Sequence, residues 1–296
     1  MKKVEAMPTY LARGALAALL ALWCCLLAST LHAAEQDFPV DAEFNILSAD
    51  GARVIGHTHY SVKPDGPSLE LIYGESHYLS GDYDIERNHV ERRGPGELPV
   101  LTAYEHVFFN ADGSLARISK ADFRSGASLC AVYDKNAPRE YRATLNFPPD
   151  TYAGAALVIP LQHQLNESSK EPIELHDFNC VPEPKVLKVQ ANPARFAPWL
   201  HYSGNMLQVD ITADFGWLNL VIAPFVPKIH AWFDPSLGWE FIGGEFTRFY
   251  KGPQIILARV PVLASAGSNA RQNGAELEQQ AAKTAAAPTP PADPLP

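Results

Sequence analysis

Along most of this chain the apolar positions recur with a period of two, the spacing that sends successive side chains to opposite faces of a strand. Tyr83, Ile85 and Arg87 alternate with Asp82, Asp84 and Glu86, and Ile229, Ala231 and Phe233 alternate with His230 and Trp232. Evenly placed turn signals separate the runs: Ala49-Asp50-Gly51, Pro64-Asp65-Gly66-Pro67, Asn110-Ala111-Asp112-Gly113, Ser203-Gly204-Asn205 and Asp234-Pro235-Ser236. Gly and Asn supply the positive φ that tight reversals need, so each is predicted to be a hairpin turn. One segment departs from this pattern. Between Asp150 and Leu165, Thr151 is expected to cap a short helix through Tyr152, Ala153, Ala155, Ala156 and Leu157, which Pro160 kinks or restarts. Helix and strand do not alternate as in a parallel sheet. The predicted fold is therefore mainly β: one long, strongly curved antiparallel sheet, a β-roll or half-barrel meander, with one short central helix.

The two ends of the chain break the pattern differently. Lys2 and Lys3 precede an apolar run from Gly14 to Ala28 and a small-residue exit at Leu31-His32-Ala33-Ala34. Such a run is shorter than the ~20 residues of a membrane-spanning helix and reads as a signal peptide over residues 1–34, cleaved near Ala34. Trp23 and Cys24 stand where a lipid-attachment box requires a small residue, which argues against a lipoprotein at Cys24 or Cys25. From Leu263 the composition turns to Ala, Gln, Asn and Pro. Residues 263–296 are expected to form a disordered tail, because they lack the aromatic and β-branched side chains that offset chain entropy. Residues 35–262 remain as a single β-rich domain, periplasmic or secreted.

Removing residues 1–34 takes away three cations and one anion and moves the formal charge from −9 to −11. A field of that sign repels nucleic acid and anionic lipid head groups, so no nucleic-acid partner is expected. Only Cys130 and Cys180 survive processing, and an even count in an oxidising compartment favours a bridge between them.

Three stretches carry a resemblance: Val54-Ile55-Gly56-His57-Thr58-His59-Tyr60, the segment from Asp150 to Leu165, and Pro227-Lys228-Ile229-His230-Ala231-Trp232-Phe233-Asp234-Pro235. Together they resemble an uncharacterised family of bacterial exported proteins built as one strongly curved antiparallel sheet. That resemblance implies the fold over most of the mature domain and brings no catalytic residues with it. In architecture alone the chain also resembles periplasmic carriers that hold a lipid in the hollow of such a sheet, an analogy of fold rather than of function.

Candidate chemistry is sparse. His57 and His59 share a strand face and would meet a Zn or Cu ion if a third ligand, His77 or His89, came from a neighbouring strand; ordinary surface histidines are the simpler reading. Asp82, Asp84 and Glu86 put three carboxylates on one strand face, which suggests calcium binding or acid–base work on a sugar. Mutual repulsion favours instead a solvent face paired with basic residues such as Lys120 and Arg124. Gly74-Glu75-Ser76-His77-Tyr78 imitates a serine-hydrolase elbow but lacks its closing glycine and the following helix. No phosphate loop or dinucleotide fingerprint occurs, and no cofactor is expected.

Aromatic residues are numerous, early from Tyr73 to Phe109 and late from Trp199 to Tyr250. Most are expected in the core, with an incompletely filled hollow as the functional alternative. Ala223-Pro224-Phe225-Val226-Pro227 is expected along an edge, since two prolines exclude an interior strand. The leading expectation is a non-enzymatic exported protein that binds or shuttles a hydrophobic ligand, a lipid or envelope precursor. An envelope assembly or structural factor that docks a protein partner is the alternative, and a metal-dependent enzyme using His57, His59 and His77 the third.

Overall fold

The computed structural model describes residues 41–94, 97–134, 137–167, 171–214 and 229–260. The expected signal peptide over residues 1–34, the expected tail over residues 263–296, Ala223–Pro227 and three of the late aromatics, Phe215, Trp217 and Phe225, lie outside the described residues. Among the described residues fifteen strands form one sheet. The first eight are β1 (Asp41–Ser48), β2 (Val54–Pro64), β3 (Leu69–Tyr78), β4 (Tyr83–Glu91), β5 (Val100–Phe109), β6 (Leu115–Asp122), β7 (Ala127–Val132) and β8 (Arg139–Thr144). A two-residue strand β9 (Thr151–Tyr152), a 3₁₀ turn (Gly154–Leu157) and a helix α1 (Val158–Glu167) follow. The remainder are β10 (Ile173–Cys180), β11 (Pro184–Trp199), β12 (Tyr202–Ala213), β13 (Ile229–Asp234), β14 (Glu240–Thr247) and β15 (Gln254–Arg259).

The spatial order runs from β8 back to β1, across to β15, and then back to β9. The expected single meander is thus two meanders, β1–β8 and β9–β15, joined where the first strand pairs antiparallel with the last, Phe44 opposite Arg259 and Ser48 opposite Ile255. Among the described residues every pairing is antiparallel except the short one of β9 with β10. The sheet curves so far that its two ends approach each other: β6, β7 and β8 lie against β10 and β11. Cys130 on β7 and Cys180 on β10 are joined there, with Cα atoms 5.6 Å apart, a separation normal for a disulfide. Among the described residues no hydrogen-bonded ladder closes the sheet into a barrel.

Most turns form where the sequence places them. In the β1–β2 turn, Asp50 accepts hydrogen bonds from the Ser48 hydroxyl and the Ala52 amide, and Gly51 takes φ 70°. Ser203-Gly204-Asn205 is different: it lies inside β12, and the reversal falls earlier, at Leu200 with φ 48°. The long β11–β12 hairpin explains this shift. Its far end folds over the outer side of β13, β14, β15 and β1, where Trp199 and Met206 pack with Trp232, Ile242, Ile256 and Ala258 in a second small core. Gly243 makes room for it, because a Cβ there would strike the Trp199 ring.

The central segment also differs from expectation in detail. Thr151 caps no helix; it belongs to β9, and its hydroxyl donates to the Pro148 carbonyl at 2.6 Å. Pro160 neither kinks nor restarts the helix but occupies its first turn, where a missing N–H costs nothing. Val158, Ile159, Leu161 and Leu165 of α1 are buried in the hollow of the sheet. They join Phe44, Ile46, Phe233, Leu257 and Tyr152 in one continuous core, each large side chain contributing roughly 1.5–3 kcal/mol before entropy is counted.

Candidate functional site

The inner surface is not uniformly apolar. On β4 the inward row reads Asp84, Glu86, Asn88 and Val90, all buried, with Asn88 wholly inaccessible. The expectation that Asp82, Asp84 and Glu86 form a solvent face is therefore reversed for the last two. Both rows of β4 are polar, since Arg87, His89 and Glu91 alternate with them, and the row that ends in Val90 turns inward. Lys120 and Arg124 pair elsewhere: Lys120 with Glu105 at 3.3 Å, Arg124 with Glu91 at 2.8 Å.

Three elements converge on the buried acids. His106 on β5 brings Nε2 to 3.0 Å from Asp84 Oδ1. Arg248, just beyond β14, reaches across the hollow and donates from Nη2 to Asp84 Oδ2 at 3.2 Å and from Nη1 to Asp82. Its guanidinium lies 3.4 Å from the centre of the Tyr78 ring, with Phe108 and Phe249 beside it, so cation–π attraction adds to the ion pairs. With the His106 Nε2 proton on Asp84, Nδ1 accepts from the Tyr104 hydroxyl at 3.4 Å. Burial pushes the Asp84 carboxyl up, but the hydrogen bond and charge of His106 and the charge of Arg248 outweigh it and hold the group below the ordinary carboxylate value. Burial pulls His106 down, yet its bond to Asp84 wins and leaves the imidazole more basic than usual.

Glu86 does a different task. It accepts the Ala155 amide at 2.6 Å, the Asn88 side-chain amide at 2.8 Å and the Tyr60 hydroxyl at 3.3 Å. Through Ala155 it ties the turn preceding α1 to the sheet. Gly154, at φ 50°, permits that approach, since a Cβ would collide with the carboxylate. The arrangement orders charges and holds a helix. Deeper along the seam, Asp177 on β10 is half-buried by surface, but its surroundings are dry enough that burial pushes its carboxyl up to about 7 against the lowering hydrogen bond from Asn179.

The histidines lie on the opposite, outer face. His57, His59 and His77 are exposed, His57 opposite His77 and His59 opposite Glu75. His59 pairs with Asp41, His77 with Glu75 at 2.7 Å, and His89 with Asp65 at 2.8 Å. Ser76 sits inside β3 with its hydroxyl on Thr58 Oγ1 at 3.0 Å, in no elbow. Sequence reasoning missed Arg248 and His106. Arg248 lies 164 residues from Asp84, and the pairing of β1 with β15 brings their strands into one sheet; nothing local to Arg248 announces a buried role.

No family model and no curated protein sequence matches this chain. Among solved structures it is similar to a beta-barrel-like protein, a domain of unknown function DUF1849, from Brucella abortus, with 10% sequence identity, a TM-score of 0.40, and 74% of this chain and 94% of that one covered.

Proposed function

We propose that this protein is an exported, non-enzymatic binder of a hydrophobic ligand, a lipid or envelope precursor. The observation that carries the reading is the open seam beside a continuous apolar core. The sheet encloses Phe44, Phe233, Leu257 and their neighbours without closing on itself, and the occupant of its hollow is the short helix α1. A helix held at one end, through Glu86 and the Ala155 amide, is the element an apolar guest would displace. Native mass spectrometry of the protein taken from its own envelope tests this: a bound lipid mass supports the reading, and a clean apo mass sinks it.

A second reading, docking of a protein partner, has its own support. Phe196 is more than half exposed with its ring 6.4 Å from that of Trp239, and Leu237, two residues before Trp239 in the chain, is more than half exposed as well. Clustered apolar exposure of this kind marks interaction surfaces. Strand addition is the less favoured route to such docking: the edge strand β8 carries Arg139, Glu140 and Arg142, the charged defence of a sheet edge, and β9 at the other end is two residues long.

A further inference from the structure

We propose that the outer face of β2 and β3 is a binding site for a late first-row divalent cation, with Zn²⁺ as its probe, formed by His57, His59, His77 and Glu75. This proposal stands apart from the hydrophobic-ligand reading, which concerns the inside of the sheet.

The register assembles the site. His57 faces His77 and His59 faces Glu75 across the same pair of strands, so the four residues occupy the corners of a two-by-two block. Gly56, Thr58, Gly74 and Ser76, between and beside them, are buried on the other face. Directly opposed side chains on a strand pair have Cβ atoms about 4.5–5.5 Å apart, and an imidazole reaches well over half that distance toward a shared ion at about 2.0–2.1 Å from nitrogen. His89, the other third ligand considered from sequence, is excluded: it lies on β4 and is held by Asp65.

The polar partners around the block suit it. Asp41 engages His59 through Nε2 and leaves Nδ1 as the ligating nitrogen, the carboxylate–histidine arrangement that fixes a tautomer and raises ligand basicity. Tyr73 donates to Glu75 Oε2 at 2.9 Å. His77 Nε2 and Glu75 Oε1 already meet at 2.7 Å, and a cation enters by replacing the proton they share. The other side of His77 stacks on Tyr83, ring centres 5.8 Å apart. As they stand, no three His, Cys, Asp or Glu side chains among the described residues converge on one point. The block closes by rotamer changes of side chains that are 46% exposed at His59, 65% at His77 and 39% at Glu75, with His77 turning on its Tyr83 stack. Three imidazoles and one carboxylate select Zn²⁺ or Cu²⁺ over Ca²⁺ or Mg²⁺.

The experiment is calorimetric titration of Zn²⁺ into chelator-stripped purified protein at pH 7.5. One equivalent binding saturably is expected. His57→Ala and His77→Gln should each weaken it by roughly tenfold or more, Asp41→Asn by roughly tenfold, and His89→Ala not at all. Thermal melts confirm that each surface variant is folded. Absence of a one-equivalent isotherm in the parent, or unchanged binding in both folded His57→Ala and His77→Gln, overturns the proposal.

Discussion

The two meanders enclose one interior with different chemistry. The β9–β15 half, with β1, contributes Phe44, Ile46, Val209, Phe233 and Leu257, all apolar. The β2–β5 half contributes Thr58, Ser76, Asp84, Glu86 and Asn88. Apolar packing is non-directional and accepts substitutions that keep volume. A buried ion network is directional, and removing one member strands the others. The difference teaches that the polar half positions elements, α1 through Glu86 and the loop after β14 through Arg248, while the apolar half supplies most of the stabilising burial.

The largest expected effect breaks this comparison at Arg248. Arg248→Met should cost about 3–5 kcal/mol, because Asp82 and Asp84 are left with an uncompensated charge, whereas Ile46→Val in the apolar half should cost about 0.5–1.5 kcal/mol. Adding Asp84→Asn to Arg248→Met should recover much of the loss in a urea melt; failure of the double variant to recover would assign the cost to lost packing on Tyr78 instead. Next comes the seam. Closing a loop of 50 residues stabilises by about 4 kcal/mol on the chain-entropy account, so Cys130→Ser with Cys180→Ser should lower the melting temperature, and an unchanged melt would remove the structural role of the bridge.

The smallest effect sharpens the comparison at Asp177. Its folded pKa, about 7, stands above the unfolded value of 3.8, so the unfolded chain releases its proton first. Stability contributed by this group is intact below pH 3.8 and is lost progressively as the pH rises through 7. Asp177→Asn should therefore raise the melting temperature by a larger margin at pH 8 than at pH 5. An equal gain at both would place the carboxyl in contact with water.

Strand period, turns, the disulfide pair and the curl about a helix were legible from local pattern. Which face of β4 turns inward was not, because Asp84 and Arg87 both belong to charged rows, and the partners of the inner row, Arg248 and His106 for Asp84 and Ala155 and Tyr60 for Glu86, come from other parts of the chain. The late aromatic strand β13 shows the converse. Its alternation is clear, yet Trp232 and Phe233 are both buried, since the β11–β12 hairpin covers the side that period two assigns to solvent. The histidine block was half visible: the pair on β2 lies in sequence, but the identity of the residues opposite depends on a register set by the β2–β3 turn.

The pairing of the first strand with the last has a kinetic consequence. Within each meander every strand meets its sequence neighbour, so both can zip up from local contacts in the fast regime of low contact order. The β1–β15 ladder is the opposite, a closure across more than 200 residues of chain. A polypeptide that emerges N-terminus first must keep the inner edge of β1 unpaired until β15 arrives. That waiting edge, lined by Phe44 and Ile46, is the stretch where a holding chaperone or misassociation with another chain would act.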